Sequence, residues 1–209
     1  KNLIINCKSS DDLCLFSNFG KVYILNCSKL KFGTVKGVTI SSYLNLKDNE
    51  KIIDGFVYQK KKKLLLLSEN GFGFTILSDD LESNKKSGKK VFNLKKGDVF
   101  KRLCAIDKST KYLSLFLNDK SKQKLLIISL NEIPLLQKGS GVILFKSKGY
   151  KLSQCIPLDS KLTFYNLNKE TVVIDKNISN FISKRAKSGR NIKIKFPLEL
   201  YRGLEENFT

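Results

Sequence analysis

Histidine, methionine and tryptophan are absent from the 209 residues, and proline occurs only three times. Without histidine there is no imidazole general base, no Ser-His-Asp or Cys-His pair and no His-containing zinc site, so the commonest catalytic and metal chemistries are excluded. Acidic side chains are also scarce: 19 Asp+Glu stand against 39 Lys+Arg, a formal charge of +20. An excess of that size points to a polyanionic partner. No apolar run approaches the roughly 18 residues of a membrane span. One of the longest, Leu64 to Leu67, follows Lys60 to Lys63 and stops at Ser68-Glu69-Asn70-Gly71, which reads as a buried strand after a basic loop, and no signal-peptide pattern is expected. Cys7, Cys14, Cys27, Cys104 and Cys155 form no C-x-x-C pair and are odd in number, which argues against a zinc ribbon or a disulfide framework and for a reducing cytoplasm. With Lys1 in place of an initiator methionine, the chain is expected to be part of a longer polypeptide.

What is present in abundance is repetition. Residues 12–25, 63–77, 112–128 and 161–174 each consist of two apolar runs around a polar turn, the pattern of a β-hairpin by their β-branched and aromatic content. The first two turns end at Gly20 and Gly71, 51 residues apart, and Asn70-Gly71 is the strongest single turn signal. Each hairpin is followed by a basic loop rich in small residues: 31–37, 84–90, 137–141 and 184–190. The residues just before the apolar runs that follow these loops, Gly37, Lys90, Gly141 and Asn191, lie 53, 51 and 50 positions apart. A fourth strand per unit is expected over residues 2–6, 52–58, 100–106 and 150–156. Cys104 and Cys155 are also 51 apart, which makes them equivalent core positions rather than reactive thiols.

A period of about 50 residues with four short strands per unit is the pattern of a β-propeller-like array. The expected fold is all-β, with four-stranded blades in about four repeats, roughly 1–51, 52–99, 100–149 and 150–209, forming one domain over residues 1–209. Four repeats are few for a closed circle, and the chain opens directly on a strand, so an open or broken ring with a preceding blade outside the sequence is expected. Leu200 to Leu204 is apolar enough to add a closing strand. Helix is confined to short turns near residues 79–84, 131–136 and 178–184, all at one phase of the repeat.

The basic loops are the candidate site. Lys31, Lys36, Lys85, Lys86, Lys89, Lys90, Lys138, Lys184, Arg185, Lys187 and Arg190 recur at one phase, so successive blades would project them as a continuous positive track. Glycine and serine beside the cations let backbone N–H groups approach phosphate, while lysine supplies a flexible point charge. Lysine is abundant throughout, as Lys95-Lys96 shows, but general abundance does not explain a fourfold recurrence beside Gly and Ser.

Residues 63–91, with Gly71-Phe-Gly73, Asp80-Leu81, Gly88-Lys89 and Val91, resemble a blade of the C-terminal DNA-wrapping domain carried by the DNA-cleaving subunit of bacterial type IIA topoisomerases, the β-pinwheel found in gyrase and topoisomerase IV. Residues 19–23 and 187–191 match the same pattern more loosely, and the resemblance extends over essentially the whole chain. Gyrase carries an intact Q-R-R-G-G-K-G box in one blade. Here residues 85–90 lack the glutamine, the arginines and the last glycine, a departure that favours the topoisomerase IV branch. The resemblance implies sequence-independent binding, bending and wrapping of double-stranded DNA, with the rest of the DNA-cleaving subunit and the separate ATPase subunit as protein partners. It also implies a cytoplasmic, nucleoid-associated bacterial protein, no cofactor in this domain, no membrane contact, and a monomer when isolated. The DNA-cleaving tyrosine would lie in another part of the polypeptide.

No tyrosine here is a catalytic candidate: Tyr23, Tyr112 and Tyr165 sit in strand patterns. Asp11-Asp12 and Asp79-Asp80 occupy turns and strand ends, where solvated carboxylates are ordinary. Gly71-Phe-Gly73 and residues 138–141 are not nucleotide loops, because no helix pattern follows them. The rival to DNA wrapping is a propeller acting as a protein-interaction scaffold, and charge placement separates the two. A free-standing enzyme has no acid, base or metal constellation in this sequence.

Overall fold

The structure, a computed structural model, describes residues 3–31, 37–119, 122–166, 168–175 and 177–193. Each expected hairpin forms. β1 (Asp12–Ser17) pairs with β2 (Lys21–Asn26), β4 (Lys63–Ser68) with β5 (Phe72–Leu77), β8 (Tyr112–Asn118) with β9 (Gln123–Ser129) and β12 (Leu162–Tyr165) with β13 (Thr171–Ile174), all antiparallel. The turns of the first two hairpins rest on left-handed glycines, Gly20 and Gly71. Gly20 has φ 73°, and a Cβ there would lie 2.5 Å from the Phe92 carbonyl oxygen, so no side chain fits.

Three of the hairpins grow into four-stranded sheets by the same rule. On one side the first hairpin strand pairs with a later strand: β3 (Ile52–Val57), β7 (Phe100–Ile106) or β11 (Lys151–Leu158). On the other side the second hairpin strand receives a two-residue strand from the next repeat's basic loop region. These are β6 (Lys89–Lys90), β10 (Val142–Ile143) and β14 (Arg190–Asn191). Each of these sheets therefore joins residues of two successive repeats. The fourth sheet contains β12 and β13 alone among the described residues, and the closing strand expected at Leu200 to Leu204 lies outside them. The strand expected over residues 2–6 is not formed over its described residues 3–6. Instead Ile5 lies on the face of the first sheet, packed with Leu13, Leu15, Tyr23 and Leu25.

Apolar faces weld consecutive sheets together. Cys14, Phe16, Val22 and Phe56 of the first sheet meet Leu64, Leu66, Phe74 and Leu103 of the second, with Phe92 and Phe100 between them. Phe16 stacks on Phe100 at 5.3 Å, and Phe92 meets Phe74 edge-on at 5.1 Å. Leu65, Leu67 and Cys104 of the second sheet meet Leu115, Leu126 and Cys155 of the third. The equivalent cysteines are both buried, and the Cys104 thiol donates to the Cys155 carbonyl at 3.6 Å, a packing role as the spacing implied. Leu162 and Phe164 of the fourth sheet close on Phe116 and Ile127. Because β7 touches both β3 and β11, the three form the inner edge of the array. The strands β6, β10 and β14 stand at the opposite, outer edge of their sheets.

The helical turns expected before the basic loops are 3-10 turns at Ser78–Leu81, Leu130–Glu132 and Ile178–Phe181. None of the helices among the described residues is long and apolar enough to cross a membrane.

Candidate nucleic-acid interface

After the 3-10 turn Ser78–Leu81 the chain runs through residues 82–88 to the outer edge of the preceding sheet, where Lys89 pairs with Val22 and Lys90 with Lys21. Loops 84–90, 137–141 and 184–190 thus lie along the outer edge of the array, not at its axis. Their order along that edge is set by backbone hydrogen bonds between repeats. The Asn45 amide donates to the Lys86 carbonyl at 3.1 Å; Asn93 donates to Gly139 at 2.7 Å; Lys146 donates to Lys187 at 3.0 Å. In return, Gly139 donates to Val91 at 3.0 Å and Ala186 to Leu144 at 2.7 Å. Loop 84–90 continues into residues 91–93, which hold loop 137–141, which continues into residues 144–146, which hold loop 184–190. Three of the four basic loops are therefore stitched into one row.

Within this row the expected residues take different positions. Lys31, Lys85, Lys86, Lys138, Lys184 and Lys187 are exposed, and none enters an ion pair among the described residues. Arg190 is exposed on β14, opposite Leu125. Arg185 is anchored: its amide donates to the Glu132 carboxylate at 3.0 Å and its guanidinium to the Ile143 carbonyl at 3.3 Å. The Lys89 amine turns inward, donating to the carbonyls of Asp80 at 2.7 Å and Glu82 at 3.3 Å. The Lys90 amine donates to the Phe19 carbonyl, and partial burial followed by the nearby Lys21 charge lowers its pKa. Lys89 and Lys90 brace the loop as well as charging it. Lys36 lies outside the described residues.

The support beneath loop 84–90 was not visible in the sequence. Glu50 is buried, accepting from Ser17 at 2.6 Å, Tyr23 at 2.8 Å, Lys21 at 3.1 Å and the Lys47 amide at 3.0 Å. Lys21 also donates to the Ser87 carbonyl at 3.1 Å, so this network grips the loop itself. Gly88, with φ 76°, lies on the Tyr23 ring so closely that a Cβ would fall 2.6 Å from Cζ. Burial raises the Glu50 carboxyl, but its four hydrogen bonds outweigh that and hold it below the ordinary glutamate range. Burial, then Glu50, pushes the Tyr23 phenol up. Lys21 and Glu50 are 29 residues apart and no local pattern joins them. The only available sign was an acid at the end of a turn in a chain poor in acids.

The family described as DNA gyrase C-terminal domain, beta-propeller, matches residues 11–58 and 62–99. The match covers the first two repeats. The matched stretch contains the first two hairpins, the inner strand β3 and the loop gripped by Lys21. The A subunit of DNA topoisomerase 4 from Rickettsia conorii is 28% identical over 197 residues, 94% of this chain and 26% of that relative. The chain thus spans about a quarter of the length of such relatives, which are mostly topoisomerase 4 A subunits. The Escherichia coli ParC C-terminal domain superposes with a TM-score of 0.75 at 19% identity, covering 95% of this chain and 80% of that one. The DNA gyrase A C-terminal domain gives 0.56 at 18% identity, covering 92% and 80%. At such identities the solved structures establish the shared β-pinwheel fold.

Proposed function

We propose that the chain binds duplex DNA along its outer edge, without reading base sequence, and bends or wraps it so that a DNA segment is presented to the catalytic core of a topoisomerase IV. The observation that carries this reading is the row of basic loops, tied to one another by backbone bonds at the outer edge. Phosphate contacts on such a row fix a path for the backbone without touching base edges. Bending 20–30 bp by 40–90° costs of order 1–6 kcal/mol, which counterion release at several contacts offsets. In this reading the domain contributes binding and no bond chemistry, and it requires no cofactor. Strand cleavage belongs to the rest of the DNA-cleaving subunit and ATP use to the ATPase subunit, in a bacterial cytoplasm at the nucleoid. The isolated domain would act as a monomer.

If roughly five of the eleven loop cations touch phosphate, log K should fall against log[salt] with a slope near −4.5, at ~0.9 per contact. Reversing Lys85, Lys86, Lys138 and Lys187 to Glu should abolish duplex binding while the melting temperature holds. A wild-type slope shallower than about −2 would leave wrapping without its driving force. Retained binding by the reversed variant would move the interface elsewhere.

A further inference from the structure

A second set of cations stands beside the loops and is contributed by the preceding repeat. After each stretch that holds a neighbouring loop, the chain makes the same four-residue turn: residues 47–50, 95–98 and 147–150. The closing amide-to-carbonyl bonds are Glu50 to Lys47 at 3.0 Å, Asp98 to Lys95 at 3.0 Å and Tyr150 to Ser147 at 2.6 Å. The third residue is left-handed in all three, Asn49 (φ 60°), Gly97 (φ 76°) and Gly149 (φ 87°). These turns, with the residue just before the third, carry Lys47, Lys95, Lys96, Lys146 and Lys148, all exposed.

The electrostatics separate these lysines from their neighbours. Lys101 and Lys151, in the strands that follow the turns, both pair with Glu69 at 3.1 Å, and Lys21 pairs with Glu50. None of the five turn lysines enters an ion pair among the described residues. The acid of the second turn faces away: Asp98 accepts from the Asn70 and Val99 amides, and its other carboxylate oxygen is buried. Asp48 stays exposed beside Lys47, so the first turn is the weakest of the three. Lys95 is already ordered, its amine 4.4 Å from the centre of the Phe72 ring.

We propose that the DNA-binding row consists of composite sites, each joining a basic loop of one repeat to the lysine turn of the repeat before it. The backbone bonds already described set Lys47 next to Lys85 and Lys86, Lys95 and Lys96 next to Lys138, and Lys146 and Lys148 next to Lys184 and Lys187. The middle site is the decisive one. Loop 137–141 holds a single lysine, so two of its three cations come from the turn. This assignment rests on the DNA-wrapping reading and adds to it five residues and a rule for how each contact point is assembled.

The test is the salt dependence of linear duplex DNA binding between 50 and 200 mM salt, by fluorescence anisotropy on the 209-residue chain. Four proteins are compared: wild type, Lys138→Gln, the double variant Lys95→Gln/Lys96→Gln, and Lys108→Gln/Lys161→Gln at the opposite ends of the sheets. Thermal melting checks that each is folded. The loop variant should flatten the slope by about 0.9, the turn variant by about 1.8 and the opposite-end variant not at all. If Lys138→Gln flattens the slope and the turn variant does not, the loops bind alone; the composite assignment falls and wrapping survives. If the opposite-end variant flattens it as much as the turn variant, binding is diffuse and the assignment also falls. If wild type itself has a slope shallower than about −2, the wrapping reading fails together with it.

Discussion

Glu50 shows how a single buried acid can organise a basic surface. Its carboxylate ties β1, β2 and the turn before β3 together, and through Lys21 it fixes the Ser87 carbonyl of loop 84–90. Because its folded pKa lies below the unfolded value of about 4.3, its contribution to stability is in place above that pH and is lost as the pH falls through the folded pKa. Urea denaturation should therefore show wild-type stability falling on acidification below about pH 4.3, with that component missing in Glu50→Gln. At neutral pH the same variant leaves the largely buried Lys21 without its counter-charge and should cost about 3–5 kcal/mol. Gly20→Ala should cost about 1–3 kcal/mol, since φ is positive and the new Cβ meets the Phe92 carbonyl. The glycine was legible, because it closes a polar turn between two apolar runs. The Glu50 network was not, because its members come from three separate strand ends and are related only by the fold.

Among elements, the hairpins were legible and their partners were not. Paired apolar runs and turn residues mark a hairpin wherever it stands, but they say nothing about which later strand it will meet. Ile52–Val57 reads equally well as the start of the second repeat or the end of the first, and it pairs with β1. The two-residue strands β6, β10 and β14 are too short to leave any pattern; they exist because the open edges of β2, β5 and β9 offer unpaired backbone groups. Their consequence for the site is direct, since this crossing to the neighbouring sheet carries each loop to the outer edge. Phe92, two residues after loop 84–90, anchors that crossing against Phe74 and Phe100. Phe92→Ala should lower stability by about 3–5 kcal/mol by denaturant titration. Hydrogen exchange should rise at Asn93, whose amide donates to Gly139, if this anchor also holds one loop to the next.

For the whole molecule, composition already pointed to the partner and the fold gives the charge its direction. A chain of net charge +20 would attract any polyanion. The repeat turns that general attraction into a path, because loops 84–90, 137–141 and 184–190 stand in succession at the same outer edge, each bonded to the next. The fourfold recurrence could be read from spacing alone, as could the all-β architecture. The outward position of the row could not, because it depends on exchange of strands between repeats. The similarity of residues 11–58 and 62–99 to the gyrase C-terminal domain family fits this architecture. The most direct test of the DNA path is to ligate a nicked circular plasmid with and without saturating protein, and to read the linking number after the protein is removed. Wrapping along the outer edge predicts a shift in the topoisomer distribution that grows with protein and disappears in the Lys85, Lys86, Lys138 and Lys187 to Glu variant. An unshifted distribution at saturation would contradict it.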